Sequence, residues 1–219
     1  MMFIALIADI VASKQLANRQ QFQAALIQTL ERLNKDYTQW LVSPFTVTLG
    51  DEFQALFVRE VPIFEIIDQL NRYLAPVTIR YGIGVGDILT TINSSISLGA
   101  DGPAYWHARR AIQYIHQKND YGNTQVRISG EEKDVYETIN TLLAAGEAIK
   151  SNWRSSQEEL LVQLLEHKDY SEHFNQQDLG RALHLQPSAL SKRLKSSNLK
   201  VYLRTRHQAQ SLISKGVDP

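Results

Sequence analysis

Apolar and polar positions along the chain change period several times, and each change marks an element. Residues 3–11 form an apolar, β-branched run that stops at a charged tip, the pattern of a buried central strand. Residues 19–40 place Phe22, Leu26, Leu30, Leu33 and Tyr37 at helical spacing, giving one core-facing stripe. Two strand-like stretches, 46–49 and 53–58, flank Gly50-Asp51-Glu52 and predict a hairpin with a tight turn. A second amphipathic helix follows over 61–74 and is ended by Pro76. Alternation over 77–85 puts Val77, Ile79, Tyr81, Ile83 and Val85 on one face of a strand. A helix over 105–118, a short strand over 125–129 and a closing helix over 131–150 complete the pattern. The order β-α-β-β-α-β predicts an α+β fold, a ferredoxin-like sheet backed by helices with later additions.

Beyond residue 150 only helical periodicity continues. Residues 155–166 direct Leu160, Leu161, Leu164 and Leu165 inward. Residues 175–183 start another helix with Asn175 as its N-cap. A turn over 184–187 leads into a helix over 188–195, with Pro187 in the first turn, where its missing N–H costs nothing. Leu179, Leu183, Leu185, Leu190 and Leu194 are spaced for a shared core, and Gly180 leaves room for a close helix crossing. The pair predicts a helix-turn-helix whose second helix enters a DNA major groove. Residues 201–213 form a closing helix, or a short wing-like strand followed by one. A polar connection near 150–156 divides a first domain, 1–150, from a second, 153–219.

Charge sharpens this division. Lys+Arg and Asp+Glu both number 23, so no general cationic coat exists. Yet residues 179–217 carry eight basic residues and no acid. A solvated face usually mixes signs, so this run favours double-stranded DNA as partner, with a helical hairpin for protein contacts as the alternative. Gln186, Ser188 and Ser191 are placed to read base edges; Lys192, Arg193 and Lys195 are placed to neutralise phosphates. The chain has no cysteine, which excludes disulfides, thiolate metal sites and cysteine nucleophiles. Its apolar start spans only about a dozen residues and is broken by Asp9, too short for a membrane span and without a signal peptide's basic flank. A cytoplasmic protein is expected.

The candidate chemistry lies at two strand tips. In the predicted sheet, the end of the first strand adjoins the hairpin, so Asp9 and Asp51 meet. Converging carboxylates repel unless a proton or cation intervenes, and hard oxygens suit Mg²⁺ or Mn²⁺ completed by substrate phosphates. The turn after Asp9, with Ser13 and Lys14, offers backbone N–H groups to phosphate oxygens. The plain alternative is that Asp9 ends a strand and Asp51 serves a Gly-Asp turn. Arg109 and Arg110 read as phosphate contacts or as helix-surface cations, and His107 and His116 as surface or capping residues. P-loop, dinucleotide and Gly-x-Ser-x-Gly motifs do not occur.

The segments ALIADIVASKQL (5–16), TLGDEFQALF (48–57), IRYGIGVGDI (79–88) and GPAYWHARRAI (102–112) resemble, in the same order, those of class III nucleotidyl cyclases. The second also resembles the GGDEF signature of diguanylate cyclases. The whole chain, with GADGPAYW at 99–106, looks most like the bacterial SatD family. The resemblance implies that Asp9 and Asp51 hold metal with the Ile10 carbonyl as auxiliary ligand. It further implies that Glu52 is the signature glutamate and that Arg110 neutralises the transferring phosphoryl group. Trp106 stands where cyclases carry an asparagine, Val47 where ATP users carry a base-reading lysine, and Leu49 where the signature has its first glycine. These departures favour a homodimeric DNA-binding transcription regulator whose cyclase-like domain senses a nucleotide or divalent metal. The alternative is an active cyclase or transferase using two ions on Asp9 and Asp51.

Overall fold

The computed structural model describes residues 2–117 and 119–215. Lys118, at the end of the helix expected over 105–118, and the last four residues of the expected second domain lie outside the described residues. The fold is mixed α+β, with a five-stranded sheet and eight α-helices among the described residues. The chain divides into two compact units, Met1–Asn140 and Thr141–Pro219.

The first unit contains every strand. These are β1 (Phe3–Ile10), β2 (Leu41–Leu49), β3 (Glu52–Val58), β4 (Ile79–Gly86) and β5 (Val126–Ser129). Their helices are α1 (Arg19–Asp36), α2 (Ile63–Tyr73), α3 (Pro103–His116) and α4 (Lys133–Lys150), the last running on past the division between the units. The sheet order is β2-β3-β1-β4-β5, with β1 antiparallel to both neighbours and β5 parallel to β4. Thus β1-α1-β2-β3-α2-β4 follows the βαββαβ pattern that the periodicity predicts, and β1 lies in the middle as its unbroken apolar run requires. The first helix is shorter than its apolar stripe: it stops at Asp36, and a 3₁₀ turn covers Thr38–Trp40.

Alternation along β1 sends Ala5 and Ile7 to the face covered by α3, where they pack with Leu56, Ala104, Tyr105, Ala108 and Ile112. On β4 the same face carries Gly82, Gly84 and Gly86, and the α3 backbone lies directly on them. A Cβ at Gly84 would stand 1.9 Å from the Ala104 carbonyl oxygen, and one at Gly82 2.3 Å from that of Ala108. The bare strand surface therefore sets how close α3 comes. Two residues beyond this packed zone, the α3 face ends in two charged positions, Asp9 and Arg80, which are register partners.

The second unit holds α5 (Ser155–Glu166), α6 (Gln176–Ala182), α7 (Pro187–Ser197) and α8 (Leu199–Lys215). The Asn175 side chain caps α6, accepting from the N–H groups of Gln177 and Asp178. Leu160, Leu161, Leu164, Leu165, Leu179, Leu190 and Leu194 bury together with Trp153 and Tyr202. Residues 201–213, open between two readings in the sequence, are helical throughout. A Cβ at Gly180 would meet Leu190 Cδ2 at 3.4 Å, an ordinary contact, so the helix crossing does not depend on glycine there.

Candidate functional site

Three strand ends meet at one level of the sheet. Register pairing sets Glu52 of β3, Asp9 of β1 and Arg80 of β4 side by side. Directly paired residues share a face, so these three look toward α3, whose last residue is His116. Asp9 Oδ2 pairs with Arg80 Nη1 at 3.3 Å and with His116 Nε2 at 2.9 Å. The same guanidinium nitrogen lies 3.1 Å from His116 Nδ1. Arginine only donates, so Nδ1 accepts and the imidazole proton on Nε2 is the one offered to Asp9.

The other oxygen of Asp9 has a different fate. Oδ1 is buried and has no hydrogen-bond partner among the described residues. Burial pushes the Asp9 carboxyl above the ordinary carboxylate range; His116 and Arg80 pull it back, and the nearby Asp51 charge pushes the same way as burial. The end of β1 adjoins the hairpin turn through backbone: the Ile10 N–H donates to the Asp51 carbonyl at 3.1 Å. Gly50 permits the turn, with φ 27°.

Asp51 Oδ2 accepts from the Ser13 hydroxyl at 2.5 Å, and Ser13 is buried. Ala12 adopts a left-handed conformation at φ 54°, which turns the chain sharply after β1 into the 3₁₀ turn Ser13–Gln15. Lys14 is exposed on that turn. Glu52 Oε1 is held by the Thr48 hydroxyl at 2.8 Å. Asp9, Ile10, Ser13, Lys14, Asp51 and Glu52 thus gather at one end of the sheet.

Arg110 does not join them within the chain. It is exposed on α3 and lines a cavity of about 260 Å³ with Tyr114, Arg127 and Tyr136, on the β5 side of the helix. Arg127 in that cavity stacks over Tyr114 and pairs with Glu137. Among the described residues no group of three His, Cys, Asp or Glu side chains could hold a metal ion. The donor set is two carboxylates, one with an orphaned buried oxygen. That set fits a cation such as Mg²⁺, commonly held by one or two carboxylates with the remaining positions left to water and phosphate.

Two residues of this site were not legible as such. Arg80 is the cation the sequence reading did not place on Asp9; its signal was a charge at an even position of 77–85, on the face opposite the apolar stripe. His116 is exposed, as a surface residue, and also contacts Asp9, which no spacing rule reveals. His107, read the same way, is corrected: it is buried, with Nδ1 2.8 Å from the Val85 carbonyl oxygen.

The fold and site are those of an α+β protein with a carboxylate pair at the tip of its central strand. The chain belongs to the SatD family, whose model matches residues 3–213. No curated protein matches it. Among solved structures it is similar to a bacterial light-regulated adenylyl cyclase, at 16% identity and TM-score 0.42, over 58% of this chain and 43% of that one. The chain thus spans less than half the length of that protein. A second structure of a bacterial light-regulated adenylyl cyclase gives 19% identity and TM-score 0.41, over 58% of this chain and 74% of that one. The catalytic core of a rhodopsin-guanylyl cyclase with converted specificity, in complex with ATPalphaS, gives 16% and 0.30, over 51% of this chain and 71% of that one.

These findings overturn the expected DNA-binding transcription regulator. None of the comparisons carries DNA binding or transcription regulation. The physical basis of the expectation is also narrower than the sequence suggests. Four of the eight basic residues in the acid-free run 179–217 are answered by acids from elsewhere in their own unit: Arg181 by Asp178, Arg193 by Glu159, Arg204 by Glu172, and Arg206 by Glu147. Arg193, expected on a phosphate, is half-buried and also donates to the Ser156 carbonyl. Gln186, Ser188, Ser191, Lys192 and Lys195 are exposed, as on any solvated helix. No helix among the described residues is long and apolar enough to cross a membrane.

Proposed function

We propose that the chain is a metal-dependent nucleotidyl cyclase or transferase acting on a nucleoside triphosphate, with Asp9 and Asp51 as its metal-holding pair. The observation that carries this reading is the buried, unpartnered Oδ1 of Asp9 beside a second carboxylate. A desolvated anionic oxygen without a donor is costly unless a cation completes it. A bound Mg²⁺ or Mn²⁺ would polarise the phosphoryl group and offset charge on the attacking and leaving oxygens. Asp9 and Asp51 would hold the ion, with the Ile10 carbonyl as auxiliary donor. Ser13 fixes the Asp51 carboxylate through its hydroxyl, while Lys14 on the following turn faces the phosphates. Glu52 adds negative charge at the same level of the sheet. Arg110 neutralises charge on the transferring group. Because it lies on the β5 side of α3, a second copy of the chain must deliver it, and the active form is a homodimer.

The test is incubation of the full chain with each nucleoside triphosphate and Mn²⁺ or Mg²⁺, followed by chromatography of the products. Pyrophosphate release with a cyclic or transferred nucleotide is expected from at least one triphosphate. Asp51→Asn is expected to cut that turnover by about 100-fold or more, the scale of losing several kcal/mol of charge stabilisation. Absence of product with every triphosphate and both ions would refute the reading.

A further inference from the structure

We propose that the Asp9–Asp51 site takes a single divalent ion, with the Arg80 guanidinium standing where a second ion would otherwise sit. The inference rests on the metal reading above and sets one ion where the sequence alternative sets two on Asp9 and Asp51. The two oxygens of Asp9 are not equivalent. Oδ1 is buried and unpartnered, whereas Oδ2 is closed by Arg80 Nη1 at 3.3 Å and His116 Nε2 at 2.9 Å. An ion bonded to Oδ2 at about 2.1 Å would stand in the space those donors fill and meet a guanidinium that does not lose its proton.

His116 makes Arg80 hard to displace. Its Nδ1 accepts from the same guanidinium nitrogen at 3.1 Å while its Nε2 donates to Asp9. The three side chains therefore form a closed triangle spanning β1, β4 and the end of α3. Arg80 and His116 are positioning residues in this scheme: they fix which carboxylate oxygen is left for metal. Asp51, held by Ser13, supplies the second carboxylate of a one-ion site.

Crystals grown with Mn²⁺ and inorganic tripolyphosphate decide the matter by anomalous scattering. One manganese peak at Asp9 Oδ1 and Asp51, with Arg80 still on Oδ2, is the expected result. Two peaks at the carboxylate pair overturn the one-ion inference and leave the metal reading standing; an empty pair overturns both. In solution, Mn²⁺ bound per chain is counted by electron paramagnetic resonance in the presence of tripolyphosphate, corrected for the ion that tripolyphosphate binds alone. Arg80→Ala is expected to raise the ratio from about one to about two, and His116→Ala, which leaves the guanidinium charge, to keep it at one. A ratio unchanged in folded Arg80→Ala refutes the role given to Arg80. Should that variant fail to fold, the wild-type peak count alone still decides.

Discussion

Single residues in this protein are set by what desolvation demands of them. Tyr37 is buried at the end of α1 and its hydroxyl donates to Glu65 Oε1 at 2.8 Å. Burial, and then the Glu65 charge, push the phenol far above its ordinary range. The sign follows from proton counts. Above pH 10 the unfolded chain loses this proton and the folded chain keeps it, so stability is full below pH 10 and falls as pH rises past it. Tyr105 and Tyr136, also raised by burial, add to the same loss. Tyr37→Phe is expected to cost about 1–2 kcal/mol at pH 7, where a hydrogen bond to a charged acceptor is lost. The same change should flatten the alkaline decline by up to about 1.4 kcal/mol per pH unit. Urea unfolding at pH 7 and at pH 10.5 separates the two effects; an unaltered alkaline slope would contradict the assignment.

Elements were legible in proportion to how local their cause is. The β1 run, the Gly50-Asp51 hairpin and the Leu stripe of α5 each lie within one segment, and the pattern located them within a few residues. The adjacency of the β1 end and the Asp51 turn also followed, because sheet order fixes it once the βαββαβ pattern is recognised. What escaped was side-chain chemistry across elements. His116 reaches Asp9 only because α3 lies close on β4, and that closeness depends on Gly82, Gly84 and Gly86. In the sequence these glycines marked a resemblance; in the fold they are the bed of a helix. Gly84→Ala tests this link. Its Cβ would lie 1.9 Å from one α3 backbone atom and 2.2 Å from another, so the helix itself must lift. The expected cost is about 3 kcal/mol, at the upper end for overpacking, read by urea denaturation. A loss under about 0.5 kcal/mol would show that α3 has slack against the sheet.

At the scale of the whole molecule, equal numbers of acids and bases conceal an uneven split, with bases outnumbering acids in the second unit. The four arginines of its acid-free run 179–217 each pair with an acid that lies before that run. Arg206 is the extreme case: 1% exposed, it bonds Glu147 through Nη2, donates from Nε to the Tyr202 hydroxyl at 3.0 Å and stacks over that ring. Tyr202 in turn packs edge-on against Trp153, whose indole N–H donates to the Ser197 carbonyl. A buried guanidinium deprived of its carboxylate keeps its charge, so removing the acid leaves an uncompensated ion in a closed core. Glu147→Ala is therefore expected to destabilise this unit by about 3–5 kcal/mol. Exposed pairs such as Arg181 with Asp178 should matter by less than about 1 kcal/mol when broken. Trp153 fluorescence, in a background with Trp40 and Trp106 replaced by Phe, reports the unfolding of this core alone. Added salt should leave the Glu147 effect largely intact, since burial shields the pair from screening, and should erase that of Asp178→Ala. Equal losses for the two variants, or equal sensitivity to salt, would mean that Arg206 finds water or another anion when Glu147 is gone.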